Sequence, residues 1–305
     1  MSIPLSRKKS LVDDFMDRSI EGALALRSAA WRPHPGRIAY LVAGAAAVGA
    51  AATRSDCVTR VVKPALMPML ATDILFPDAT LSNPASWRKL FKPSGDQAVL
   101  LAGLVGGWLG DMTLMNTEFR SEDPQVRAKN LNRGAAWFSL NQLAYIWLLA
   151  KRGARPDPAV VAAHVPVLAA GLGLAGWKLP PALPAAGGYG ALLGGTNVLA
   201  QDRGIIRDEV DKTPADYGIS HGGNLFIMSD ALILNRMTLF KNAQKEGASA
   251  VLKTIDAIND GAVMATYVIA QLLLFNGLND GAAKGTPVKP GVLSRVRRKI
   301  GWKRK

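Results

Sequence analysis

Eight long apolar blocks, parted by short segments that carry most of the charge, constrain this chain more than any other feature. They cover residues 37–53, 61–76, 98–115, 134–150, 159–177, 181–200, 222–240 and 261–278. A helix needs about 20 predominantly apolar residues to cross a hydrocarbon core, with a usual range of about 17 to 25. The pattern predicts an all-α fold, a polytopic integral membrane helix bundle of about eight transmembrane helices. The second block contains Lys63, Pro64, Pro68 and Asp73, and the sixth begins among prolines and glycines, so for these two a buried helix that does not span stays open. A wholly soluble α/β chain is excluded, because it would need amphipathic helices between blocks this long.

The net charge of +14 points first to nucleic acid, and the positions of the basic residues remove that reading. Arg7, Lys8, Lys9, Arg18, Arg27, Arg32 and Arg37 lie at the front. Arg295, Arg297, Arg298, Lys299, Lys303, Arg304 and Lys305 lie at the end. Basic residues flanking membrane-length blocks suit anionic lipid headgroups as partner, and no nucleic acid. With an even number of spans both termini fall on one side. That side then holds about 25 of the 37 Lys and Arg, which places both termini in the cytoplasm of a multi-pass cell-membrane protein.

Three regions follow from this division. Residues 1–36 form a cytoplasmic amphipathic segment, 37–278 the transmembrane domain, and 279–305 a basic cytoplasmic tail. In the front segment Leu11, Val12, Phe15, Met16, Ile20, Ala23 and Leu24 recur at helical spacing among acidic residues. Such a helix lies either in the membrane interface or against the protein's own loops. The first apolar stretch begins at Ile38 and is a full block, so no signal peptide is expected.

Ionisable groups inside spans cost energy and therefore mark sites. Asp111 lies four residues after Gly107 and eight after Gly103, on a face that lets another helix approach. Asp230 stacks above Phe226 and Gly223 near the middle of its block. Two carboxyl groups around one polar cavity can separate into an acid and a base, which is hydrolytic equipment. The competing reading makes each a structural partner of Lys63 or an amide. Lys63 either snorkels to an interface or meets a phosphate. His34, His164 and His221 have no second ligand at a suitable spacing, and single Cys57 forms neither a disulfide nor a zinc site, so no metal or cofactor is expected. Ser229 lacks a nucleophile elbow, so covalent catalysis is not expected.

Read in order, several segments resemble the YhhN family of membrane proteins, whose characterised members are lysoplasmalogenases. Lys63-Pro64 with Leu66, Met67, Pro68 and Leu70 looks like the family's Lys-Pro span, and Gly110-Asp111 with Leu114 and Met115 like its Gly-Asp span. Gly134, Phe138 and Tyr145 match the fourth span, and Tyr189 fits the sixth. The run from Gly223 through Asn224, Phe226 and Ser229 to Asp230 is similar to the family's Ser-Asp segment. The resemblance covers about 61–278. It departs at Gln142, where the pattern has a His, and Gln can hydrogen-bond but cannot exchange a proton near neutral pH.

The resemblance implies hydrolysis of the vinyl ether of a lysophospholipid substrate to a fatty aldehyde and a glycerophospho-base. It implies Asp111 and Asp230 as acid and base, with Lys63, Gln142, Tyr145, Tyr189, Asn224 and Ser229 around the substrate. The competing class is a lipid binder or transporter without catalysis, in which the two aspartates bind or gate a cation.

Overall fold

Among the described residues the fold is entirely helical, apart from one isolated bridge between Thr80 and Asn83. The computed structural model describes residues 11–83, 86, 90–116, 118, 121–202, 214–239, 243 and 247–280. The expected basic tail, Arg7, Lys8, Lys9, and the side chains of Leu11, Val12 and Phe15 lie outside them.

The helices are α1 (Leu11–Ala30), α2 (Pro35–Thr53), α3 (Asp56–Leu75), α4 (Gly95–Leu114), α5 (Pro124–Lys151), α6 (Pro158–Lys178), α7 (Gly190–Ala200), α8 (Pro214–Thr238) and α9 (Ala250–Asp280). A 3-10 turn (Pro180–Ala182) and a π turn (Ala185–Tyr189) lead into α7. Every one of the eight apolar blocks lies mainly within this set. Four helices are long and apolar enough to cross a membrane by length and composition, namely α2, α4, α6 and α9. The remaining blocks fall short for visible reasons. Helix α3 carries Arg60, Lys63 and Asp73, the apolar half of α5 carries Asn141 and Gln142, residues 180–200 are broken into three helical types, and α8 carries Asp230, Asn235 and Arg236.

Local chemistry sets the helix ends. Ser94 and Gln97 form a reciprocal capping box on α4, and Asp123 and Asp157 cap α5 and α6 ahead of a proline in the first turn. Inside α3, Pro68 has no N–H for the carbonyl of Pro64, and the indole of Trp108 on α4 donates to it at 2.8 Å. In a dry interior that bond supplies a partner the proline removed.

Small residues bring the helices together. A Cβ at Gly103 would lie 2.8 Å from that of Ala144, and one at Gly110 only 2.5 Å from the ring of Phe138, so α4 and α5 pack backbone to side chain. Gly222 and Gly277 serve the contact between α8 and α9 in the same way. Helix α1 is docked on this bundle, with Ala25 and Ala29 fully buried and Gly22 against the ring of His221. It therefore packs on helices of the bundle.

Two ionic clusters mark the two ends of the bundle. At one end Arg37, fully buried, donates to Asp73, to the carbonyl of Ala29 at 2.6 Å and to Asn276 at 3.0 Å. His34 joins this cluster through Asp73 Oδ1 at 2.8 Å and the carbonyl of Phe76 at 2.9 Å. Arg37, expected to face headgroups, is thus an interior residue; its charge is needed by Asp73. At the opposite end Asp256, also fully buried, accepts from Arg54 at 2.6 Å and from Arg236 at 2.9 Å.

Candidate active site

Asp111 occupies the third-last position but one of α4 and is 2% exposed, so the glycine face read from the sequence does turn it inward. Its oxygens have different partners. Lys63 on α3 reaches Oδ1 at 3.1 Å, and the hydroxyl of Tyr267 on α9 donates to Oδ2 at 2.6 Å. The ammonium also sits over the Tyr267 ring, 5.9 Å from its centroid. Both carboxylate oxygens of Asp111 thus have a partner, one of them a cation. Lys63 therefore points into the protein, and the snorkelling alternative is removed.

Asp230 on α8 accepts a hydrogen bond from the hydroxyl of Tyr189 at the end of the π turn. Among the described residues its second oxygen has no partner, and Asp230 is only partly buried. The two carboxylates thus have matching tyrosines and contrasting surroundings. Between them stands an aromatic wall. The ring of Phe138 lies 6.1 Å from that of Tyr267 and 6.3 Å from that of Tyr189, and Phe226 packs edge-on against both Phe138 and Tyr267.

Lys63, Asp111, Tyr189, Ser229 and Asp230 all face one cavity of about 870 Å³ whose walls are otherwise chiefly apolar side chains of α5 to α9. That volume falls in the range of small-molecule sites. Ser229 is fully buried and its hydroxyl is spent on the carbonyl of Val263 at 3.2 Å. His164 lines the cavity as well. Its Nδ1 faces the carbonyl of Val160 at 2.7 Å and its Nε2 meets the Asn197 amide at 3.0 Å, so both nitrogens are engaged.

The other expected substrate residues lie elsewhere. Asn224 is exposed and accepts from Asn197 at 3.0 Å and Gln201 at 3.1 Å. Tyr145 is fully buried outside the cavity lining and donates to Gln271 on α9 at 2.5 Å. Gln142 is fully buried near the Tyr189 hydroxyl, and neither its Oε1 nor its Nε2 has a hydrogen-bond partner. Asn141 and Gln271 flank a polar niche beside Gly107, and together with Gln142 they leave four buried side-chain atoms without partners. Gly107 thus opens this niche and does not serve helix approach.

Tyr267 and Gln271 were not marked by sequence reading. They lie four apart in the most buried apolar helix, and the rule that singled out Asp111 would have found them had it been applied to uncharged polar groups there. Two carboxylates with paired tyrosines on one apolar cavity, inside a bundle with membrane-length helices, define a polytopic helical membrane protein with a lipid-sized interior site.

The model of the YhhN family matches residues 58–278, and the chain belongs to that family. No curated protein and no solved structure matches it.

Proposed function

We propose that this protein is a membrane-embedded hydrolase of the vinyl ether bond of single-chain ether phospholipids, releasing a fatty aldehyde and a glycerophospho-base. The observation that carries the reading is the unlike pair of carboxylates on one apolar cavity, Asp111 held by Lys63 and Tyr267, Asp230 by Tyr189 alone.

Hydrolysis of a vinyl ether begins with a proton on carbon. Asp230, with one oxygen uncommitted, donates that proton to the carbon distal to the ether oxygen, and an oxocarbenium ion results. Asp111 carries the compensating negative charge and takes a proton from the water that adds to the cation. The hemiacetal then loses the glycerol oxygen as an alcohol, leaving the aldehyde, so one water is consumed and no oxidant is needed. The alkyl chain lies along the apolar wall.

In this proposal the eight helical blocks all cross the cell membrane, with both termini cytoplasmic, as the charge distribution favours. A second reading, lipid binding without chemistry, draws on the Lys63–Asp111 ion pair, which already neutralises one carboxylate. Aldehyde release from a lysoplasmalogen by the purified protein in detergent separates the two. Release that depends on Asp111 and Asp230 supports the hydrolase, and binding without release supports the alternative.

A further inference from the structure

The apolar cavity adjoins a second pocket of about 180 Å³ at the Asp256 end of the bundle. Lys63, Leu114, Ile233, Val263 and Met264 line both, so the two spaces share a wall. The second pocket differs in chemistry. Arg54 at the end of α2, Arg60 in the second turn of α3 and Arg236 in the last turn of α8 line it along with Lys63, facing the carboxylates of Asp56 and Asp260.

These cations are positioned, not merely numerous. Buried Asp256 holds the guanidinium groups of Arg54 and Arg236 from behind, and Asp260 pairs with Arg236 at 2.6 Å. Arg60 is exposed, and among the described residues it makes no ion pair. Asp256, Asp260 and Asp111 already offset Arg54, Arg236 and Lys63, so among the described residues Arg60 is the lining cation whose charge no ion pair takes up. The volume equals about six waters, enough for a phosphate with a small amino alcohol and too little for a second acyl chain.

We propose that this pocket binds the phosphodiester headgroup of a single-chain lipid, with Arg60 as the principal contact to the phosphate. Guanidinium forks suit phosphate oxygens, and Asp56 and Asp260 on the same rim disfavour a multiply charged anion. The assignment rests on the reading of the large cavity as the alkyl-chain site. Lys63 stands at the junction and pairs with Asp111, so a headgroup bound here brings the first atoms of the chain to that carboxylate.

The test is binding, not turnover. Affinities of the full-length protein in detergent are measured for a saturated hexadecyl ether lysophosphocholine, which has no vinyl bond to hydrolyse, and for the neutral hexadecyl glycerol ether. Arg60→Gln is expected to weaken the phospholipid about 10-fold and to leave the neutral ether unchanged, the loss of one charged hydrogen bond. Unchanged binding of the neutral ether also reports an intact cavity. Equal losses for both ligands, or none for either, overturn the assignment. Glycerophosphocholine and inorganic phosphate serve as chain-free competitors. If either binds as tightly as the lipid and with the same dependence on Arg60, the pocket is a site for free phosphate and the headgroup assignment is overturned. A protein that binds the phosphate lipid through Arg60 yet releases no aldehyde from a lysoplasmalogen would sink the hydrolase reading alone.

Discussion

The hydroxyl of Tyr267 donates to Asp111 across 2.6 Å and so joins α9 to α4 at the wall of the cavity. With Lys63 on the other oxygen, the bond fixes the direction of the carboxylate. A hydrogen bond to a charged group is worth about 1.5–3 kcal/mol. Tyr267→Phe keeps the ring and its contacts, and is expected to lower kcat for aldehyde release about 10-fold with little change in KM. Tyr267 thereby acts as a positioning residue. A KM effect without a kcat effect would reassign it to binding.

Gln142 gives an expectation of opposite signs for stability and activity. Its two polar side-chain atoms are buried without partners, and each such atom costs about 1–3 kcal/mol. Leucine at this position strands no partner, since neither polar atom of the amide has one. Gln142→Leu is therefore expected to raise the melting temperature while lowering aldehyde release, because an apolar side chain beside Tyr189 alters the setting of the hydroxyl that holds Asp230. A lower melting temperature would mean that the amide is satisfied in the folded protein. Gln142→His, which restores the family residue, is expected to change kcat by less than about 10-fold, because two carboxylates already supply acid and base.

The apolar blocks were legible because a membrane-length helix needs little beyond its own composition. The inward turn of Asp111 was legible because Gly103, which admits Ala144 of α5, shares its face. What escaped were pairings between residues far apart in sequence. Arg37 reads as a headgroup contact until Asp73 and Asn276, carried by other helices, are brought beside it. Asp256 reads as one charge among several near the start of the last helix, and only packing gives it Arg54 and Arg236. Gln142 shares a helix face with Tyr145, yet neither lines the cavity, since Tyr145 is drawn to Gln271 on α9 and Gln142 lies buried beside Tyr189.

His34 provides a pH dependence. Its Nε2 faces a carbonyl and its Nδ1 a carboxylate, so both nitrogens serve as donors in the protonated ring. Burial opposes that charge, but the contact with Asp73, the bond to Phe76 and the charge of Asp73 outweigh it and raise the pKa above its ordinary 6.5. A raised folded pKa stabilises the fold fully below the unfolded value, and the stabilisation disappears as pH rises through the folded value. The melting temperature of the wild type is expected to fall as the pH rises above the ordinary histidine value of about 6.5, and that of His34→Gln to stay flat over the same rise. Parallel curves would remove His34 from the account.

Orientation has its own test. Reporter fusions at Lys305 and near Lys245 are expected to fall on opposite sides of the membrane, with Lys305 cytoplasmic. The same sidedness at both positions would contradict a topology of eight spans.

The most direct measurement is aldehyde release from a lysoplasmalogen by purified wild type, Asp111→Asn and Asp230→Asn, with folding checked by thermal unfolding. Each substitution preserves shape and removes proton exchange. The account expects release by the wild type and a fall of about 100-fold or more in each folded variant, the size of a general acid or base contribution. Wild-type turnover in both variants would contradict it.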